Sequence, residues 1–198
     1  MALLESRAPA DPLALFRRWY REAEKAGAPQ AEAMTLATCG PKGPSARMVL
    51  FKGFEAGAFL FYSNYESRKG MDLAARNSAA LVFYWSVTRH QVRVSGTVRR
   101  LSSAASLAYF RSRPRGAQLS ALASRQSRAV ASRAVLERAV AELGRRYPDL
   151  VPLPADWGGY ALRPRWIEFW ENRVDRLHDR LRYVRRSGDT WRIERLAP

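Results

Sequence analysis

The chain has 198 residues, 47% of them apolar and 11% aromatic, which is enough for one sizeable packed core and excludes a disordered chain. Its 34 Lys and Arg against 18 Asp and Glu leave a net charge of +16, a field that draws polyanions and phosphorylated small molecules alike. A lone cysteine, Cys39, excludes an intrachain disulfide and fits a reducing, cytoplasmic setting; with only His90 and His178 beside it, no metal site is expected.

The N-terminal MALLESRAPADP has an acidic residue early and no extended apolar run, so no secretory signal is read there. No stretch approaches the roughly 20 apolar residues of a membrane span. Residues 1–10 are expected as a flexible leader and residues 11–198 as a single domain. Asp11-Pro12 opens a helix, Asp as N-cap and Pro at the first helical position, with Leu13, Phe16 and Tyr20 as its apolar stripe and Gly27-Ala28-Pro29 as its end. From Ala33 to Leu101 the period changes to two. Strands are expected at Met34–Cys39, Ala46–Lys52, Ala58–Ser63, Ala80–Ser86 and Gln91–Arg100, separated by Gly, Pro, Asn and Ser turns. A helix over Glu66–Arg76, burying Met71, Leu73 and Ala74, interrupts them. Helices follow at Ser102–Arg111, Ala117–Ser124 and Ser132–Arg146, the last carrying Val135, Leu136, Val140 and Leu143 at helical spacing, and Pro114 separates the first two. Pro148, Pro152 and Pro154 make an extended loop, and the tail reads as strands at Tyr160–Glu171 and Leu181–Leu196. Strands joined by short turns predict an α+β fold, mainly β: an antiparallel barrel with peripheral helices.

Four segments carry groups suited to phosphate or a planar ring. Arg47-Met48-Val49-Leu50-Phe51-Lys52 is an apolar strand with a cation at each end, and strict alternation puts Arg47 and Lys52 on opposite faces. A bulge, strand twist or second subunit is needed to bring them to one site. Tyr62-Ser63-Asn64-Tyr65-Glu66-Ser67-Arg68-Lys69 runs from a strand into a helix start, where free N–H groups favour an anion. Tyr109-Phe110-Arg111-Ser112-Arg113-Pro114-Arg115, with Arg125-Gln126-Ser127-Arg128 after it, is either a solvated turn or an anion site. Ile167-Glu168-Phe169-Trp170 precedes Arg176-Leu177-His178-Asp179-Arg180, where His178 is a candidate acid or base. The absence of GxSxG, HExxH, P-loop and GxGxxG patterns leaves acyl transfer, metalloprotease and Rossmann chemistry without support. The charge keeps nucleic acid in view, but no helix-turn-helix, zinc finger or RNA-binding aromatic motif is present, and no nucleic-acid partner is expected.

In order, RMVLFK, YSNYESRKG, RHQVRVSG, YFRSRPR, RQS, then IEFW, five residues, RLHDR and a final RLAP resemble the pyridoxine/pyridoxamine 5′-phosphate oxidase family from about Asp11 to Pro198. The resemblance implies a split-barrel flavoprotein, a homodimer with FMN in clefts at the subunit interface, and no membrane. It implies FMN contacts at Arg47, Met48, Val49, Leu50, Phe51, Lys52, Tyr62, Ser63, Arg68, Lys69, Gln91, Gln126, Ser127, Trp170 and Arg180. Substrate contacts are implied at Lys52, Tyr109, Arg113, Arg176, Leu177 and His178, with Arg176 and His178 polarising and positioning the substrate. The implied reaction converts pyridoxine or pyridoxamine 5′-phosphate to pyridoxal 5′-phosphate, a hydride leaving C4′ and O2 becoming hydrogen peroxide. Two positions depart from the family: Ala117, where a serine commonly meets the substrate phosphate, and Glu171, usually neutral and expected here to point to solvent. The alternatives are a sister oxidase of the phenazine-pathway type and a non-catalytic binder of phosphate ligands or nucleic acid.

Overall fold

The computed structural model describes residues 3–198; Met1 and Ala2 of the expected leader lie outside them. Helix α1 (Pro12–Lys25) begins as its sequence dictates, the Asp11 side chain accepting from Leu13 N at 2.9 Å. It buries Leu13, Leu15, Phe16, Trp19 and Ala23, a broader stripe than Leu13, Phe16 and Tyr20 alone. The strands are β1 (Ala33–Gly40), β2 (Gly43–Leu50), β3 (Phe54–Glu55), β4 (Ala58–Asn64), β5 (Ser78–Trp85), β6 (His90–Arg100), β7 (Trp157–Glu171), β8 (Asp179–Arg185) and β9 (Trp191–Arg195). Between them lie α2 (Arg68–Ala75), α3 (Ser103–Ser112), α4 (Arg115–Ala123) and α5 (Arg133–Arg146).

Among the described residues the strands form one antiparallel sheet in the order β2-β1-β5-β6-β7-β4-β3. The long β7 also pairs β8 along its C-terminal half, Trp166 to Glu171, on the flank where its N-terminal half meets β4. That division splits the barrel. The ring closes just beyond β2, where Lys52 N donates to Leu60 O (2.8 Å) and Leu60 N to Gly53 O (2.9 Å). The register shifts between Ser95 and Gly96 of β6, where Arg165 of β7 is left without a partner and bulges that strand; a side chain at Gly96 would collide with the Arg163 carbonyl. The core is aromatic: Phe16 meets the rings of Phe51, Phe59 and Phe83 at 4.9–5.4 Å in edge-on geometry. Family-wide expectation and structure agree on an α+β fold built on an antiparallel split barrel.

Several local expectations are corrected. Met71 and Ala74 of α2 are exposed, and Lys69, Gly70, Asp72 and Leu73 are buried, because this helix turns a charged face inward. No residue of α5 is fully buried; Leu136, Val140 and Leu143 are half-covered, since α4 is the main element packed on the helix. The tail is broken into β8 and β9 by a turn at Ser187–Asp189. The described part of the leader is tied down rather than loose. Leu3 is buried, its N–H donates to Asp179 Oδ2 (3.3 Å), and Arg195 holds the Glu5 carboxylate (2.7 Å), whose pKa is pulled down to about 2 by that bond. A leader of ten residues is too short to show a periodicity, and an ion pair with a residue 190 positions away leaves no local trace. Among the described residues no helix is long and apolar enough to cross a membrane, and no cluster of His, Cys, Asp or Glu is placed to hold a metal ion.

Candidate functional site

A cleft of about 810 Å³ opens between β2, β4, the start of α2, and α3 with α4. Five cations line it, Arg47, Lys52, Arg68, Lys69 and Arg113, and no carboxylate does. Arg47 and Lys52 share it within one chain. Strand β2 stops at Leu50, and the backbone bends at Gly53 (φ 95°), so Lys52 is released from the alternation that would send it to the far face. Neither a bulge nor a second subunit is needed for that pair.

The turn from β4 into α2 is built by short polar side chains. Asn64 Oδ1 accepts from Glu66 N (2.8 Å), Ser67 Oγ donates to Asn64 O (2.7 Å), and the same hydroxyl caps the helix by accepting from Gly70 N (3.3 Å). This fixes Arg68 and Lys69 in the first helical turn, where the dipole already favours an anion. The Lys69 ammonium, 8% exposed, donates to Ser63 Oγ (3.0 Å), Gln126 Oε1 (3.0 Å) and Ser67 Oγ (3.2 Å), all neutral. Burial, with the like charge of Arg47, pulls its pKa down to about 8.

Beneath it, Arg47 donates to Thr38 Oγ1 (2.7 Å), Ser45 Oγ (2.7 Å) and Leu36 O (3.1 Å). Across the cleft Tyr62 and Tyr109 stack at 3.7 Å, and Tyr109 lies parallel to Trp157 at 6.3 Å. The Arg113 guanidinium sits 4.8 Å over Trp157, and its Nη1 is buried without a hydrogen-bond partner among the described residues. Burial pushes the Tyr62 and Tyr109 hydroxyls up and the Arg113 guanidinium down. Ala117 faces the cleft beside Ser120 and Ser124.

Of the expected contacts, the cleft gathers Arg47, Met48, Val49, Leu50, Lys52, Tyr62, Ser63, Arg68, Lys69, Tyr109, Arg113, Gln126 and Ser127. Phe51 is turned into the aromatic core, 8% exposed. Gln91, Trp170, Arg176, Leu177, His178 and Arg180 do not line this chain's cleft and form a second group. Gln91 pairs with Trp170 across β6 and β7, Arg180 pairs with Trp170 across β7 and β8, and the Trp170 ring lies 4.6 Å from His178. Arg180 is held by the buried Glu168 carboxylate (2.8 Å), which also holds Arg93 (3.2 Å). His178 Nδ1 accepts from Arg173 N (3.2 Å), which puts the proton of the neutral ring on Nε2. Arg176 and Leu177 stand exposed on a loop where Asp175 (φ 56°) and Arg176 (φ 59°) are left-handed. Glu171, expected in solvent, is 17% exposed, paired with Arg173 (3.0 Å) and 3.8 Å from His90; burial raises its pKa.

Residues absent from the sequence-based set also shape the cleft: Ser45, Asn64, Trp157, Ser120 and Ser124 line it, and Asp72 lies behind it. The Arg68/Asp72 spacing of four was the one legible signal among them.

Residues 20–146 match the family model described as pyridoxamine 5′-phosphate oxidase, and residues 157–198 that described as the pyridoxine 5′-phosphate oxidase C-terminal dimerisation region. A pyridoxine/pyridoxamine 5′-phosphate oxidase of Cupriavidus metallidurans is 48% identical over the whole chain and 93% of its own length. One of Rubrobacter xylanophilus is 52% identical over 99% of the chain and 91% of its own length. Among solved structures, PhzG of Burkholderia lata in complex with tetrahydrophenazine-1-carboxylic acid is 31% identical, with a TM-score of 0.91 over 100% of this chain and 98% of that one. A pyridoxamine 5′-phosphate oxidase-related, FMN-binding protein of Nostoc punctiforme shares the fold at 21% identity and a TM-score of 0.72, each chain covered in full. The chain belongs to the pyridoxamine 5′-phosphate oxidase family and carries that family's dimerisation region.

Proposed function

We propose that this protein is an FMN-dependent oxidase that converts pyridoxine or pyridoxamine 5′-phosphate to pyridoxal 5′-phosphate, with O2 as the final electron acceptor and a homodimer as the working unit. The observation that carries the reading is a cleft that, among the described residues, is lined by five cations and no carboxylate. Arg47, Arg68 and Lys69, with Ser63 and Gln126, form the end suited to the FMN phosphate, and Met48, Val49 and Leu50 offer apolar surface to a ring system. Lys52, Tyr109 and Arg113 form the group suited to the substrate phosphate, two of them cations and one a hydroxyl donor.

FMN, when bound, supplies the hydride acceptor, and the protein supplies orientation and electrostatics. Trp170, Gln91, Arg180, Arg176 and His178 act from the second subunit in this reading. They lie outside the chain's own cleft, and all but Gln91 belong to the dimerisation region. Exposed apolar side chains at Met48 and Leu50 on β2 and at Val174 and Leu177 beside the loop, 42–84% exposed, support such a contact. His178 donates from Nε2 to the substrate, its Nδ1 being occupied by the backbone, and Arg176 polarises the reacting group. A cytosolic setting fits the single cysteine.

The test is the visible absorbance of the purified protein, then peroxide release on adding pyridoxine 5′-phosphate. A flavin band with substrate-dependent peroxide supports the reading; a colourless protein that FMN does not reconstitute overturns it. Ala117 in the cleft favours a second reading, a sister oxidase related to PhzG, in which case a flavin band is seen and B6 phosphates are not turned over.

A further inference from the structure

Asp72 is among the most buried charges of the protein, 2% exposed, and lies one helical turn after Arg68 on α2. Its Oδ1 accepts from Arg68 Nε at 2.9 Å; its Oδ2 accepts from Thr38 Oγ1 at 2.8 Å and lies 3.8 Å from Arg47 Nη2. Thr38, itself 4% exposed, is shared: its oxygen accepts from Arg47 Nη1 while its hydrogen goes to Asp72. Space for the carboxylate is made on β1, where a side chain at Gly40 would collide with it. Asp72 does not line the cleft, whereas both arginines do. A carboxylate in the cleft would repel a phosphate; behind two guanidiniums it fixes their direction. Lys69, by contrast, has only neutral acceptors, so its charge is left for the ligand.

We infer that Asp72, working with Thr38, is a positioning residue that aims Arg47 and Arg68 at the flavin phosphate. The inference rests on the FMN reading of the cleft. Two effects of removing the charge oppose one another: the cleft becomes more positive, which favours anions, and two long side chains lose the partner that orders them. Fixed direction outweighs bulk charge for a bidentate donor to phosphate, so the net effect is weaker binding.

The experiment titrates FMN and riboflavin into the full-length, flavin-free protein and its variants, following flavin fluorescence. Asp72→Asn weakens FMN binding by about tenfold and leaves riboflavin, which lacks the phosphate, unchanged. Thr38→Val moves FMN in the same direction by about threefold, and Thr38→Ser, which keeps the hydroxyl, behaves as the parent protein. Equal weakening of FMN and riboflavin would reduce Asp72 to a folding role and overturn the inference. Unchanged or tighter FMN binding by the variants overturns it too, since charge and not direction would then dominate. Where Asp72→Asn does not fold, the Thr38 pair decides alone. A parent protein that does not prefer FMN over riboflavin sinks the FMN reading itself, a distinct outcome.

Discussion

Lys69 links the pH of the solution to phosphate binding. Its folded pKa of about 8 lies below the ordinary 10.5 because the ammonium is buried among neutral acceptors beside Arg47. The gap corresponds to about 3 kcal/mol by which the ligand-free fold disfavours the charged lysine, at 1.36 kcal/mol per pH unit. Between pH 8 and 10.5 the folded state therefore holds fewer protons than the unfolded chain, and ligand-free stability rises with pH across that window. A bound phosphate dianion reverses the balance by giving Lys69 a counter-charge and raising its pKa. FMN affinity is then level below pH 8, once the phosphate has lost its second proton near pH 6, and falls above it. With a bound-state pKa restored to the ordinary value, the loss between about pH 7.5 and about pH 9.5 is roughly twentyfold. The assay is FMN titration of the flavin-free protein across that range, with Lys69→Met as the comparison. The variant binds FMN at least about tenfold more weakly at neutral pH and shows no decline above pH 8. A flat parent profile, or a Lys69→Met profile that still declines, refutes the argument.

His90 gives an acid-side counterpart: stacked on Trp19 at 3.9 Å, it has a pKa pulled down by burial to about 4 from 6.5. The unfolded chain takes up its proton first, so stability is complete above pH 6.5 and lost as pH falls toward 4, by up to about 3 kcal/mol; urea midpoints of His90→Gln that decline equally over that range would contradict this. Ala117→Ser, restoring a hydroxyl in the cleft, lowers the Michaelis constant for the B6 phosphate by about two- to tenfold, worth about 0.5–1.5 kcal/mol; an unchanged value removes position 117 from phosphate binding. His178→Gln, whose amide nitrogen reaches the Nε2 position, retains more turnover than His178→Asn in steady-state assays, and the reverse order would reassign the donor. Finally, Lys69→Met and His178→Ala chains, each impaired alone, recover about a quarter of parental turnover when mixed and allowed to re-associate, because one site of each mixed dimer is intact. No recovery means that each subunit builds its site alone.

The barrel strands were readable because their alternation faces one aromatic core, and the Asp11 cap set the start of α1. The face of α2 was not. Hydrophobic periodicity selects Met71 and Ala74 for burial, yet the helix buries Lys69 and Asp72, whose partners Thr38, Ser63, Arg47 and Gln126 come from distant segments. A charge is worth burying only when such partners exist, and a linear pattern cannot show them. The same limit hid Trp157, which sits beside Tyr109 only after β7 has paired with β4. Most of the cleft residues were named from motif order, with the geometry left open.

The two groups of residues divide along a line drawn by β7. Its first half, paired with β4, brings Trp157 to the cleft; its second half, paired with β8, presents Trp170 and leads into the loop of Arg176 and His178. On the proposed reading one strand carries binding groups at one end and reacting groups at the other, and its 15 residues, at about 3.3 Å each, would span roughly 50 Å if straight. The bulge at Arg165 bends the strand between those two ends. On the proposed reading both groups belong to one kind of site, and the second lies outside this chain's own cleft. A twofold dimer would let the second half of each β7 serve the cleft of the other subunit, which is the arrangement proposed above.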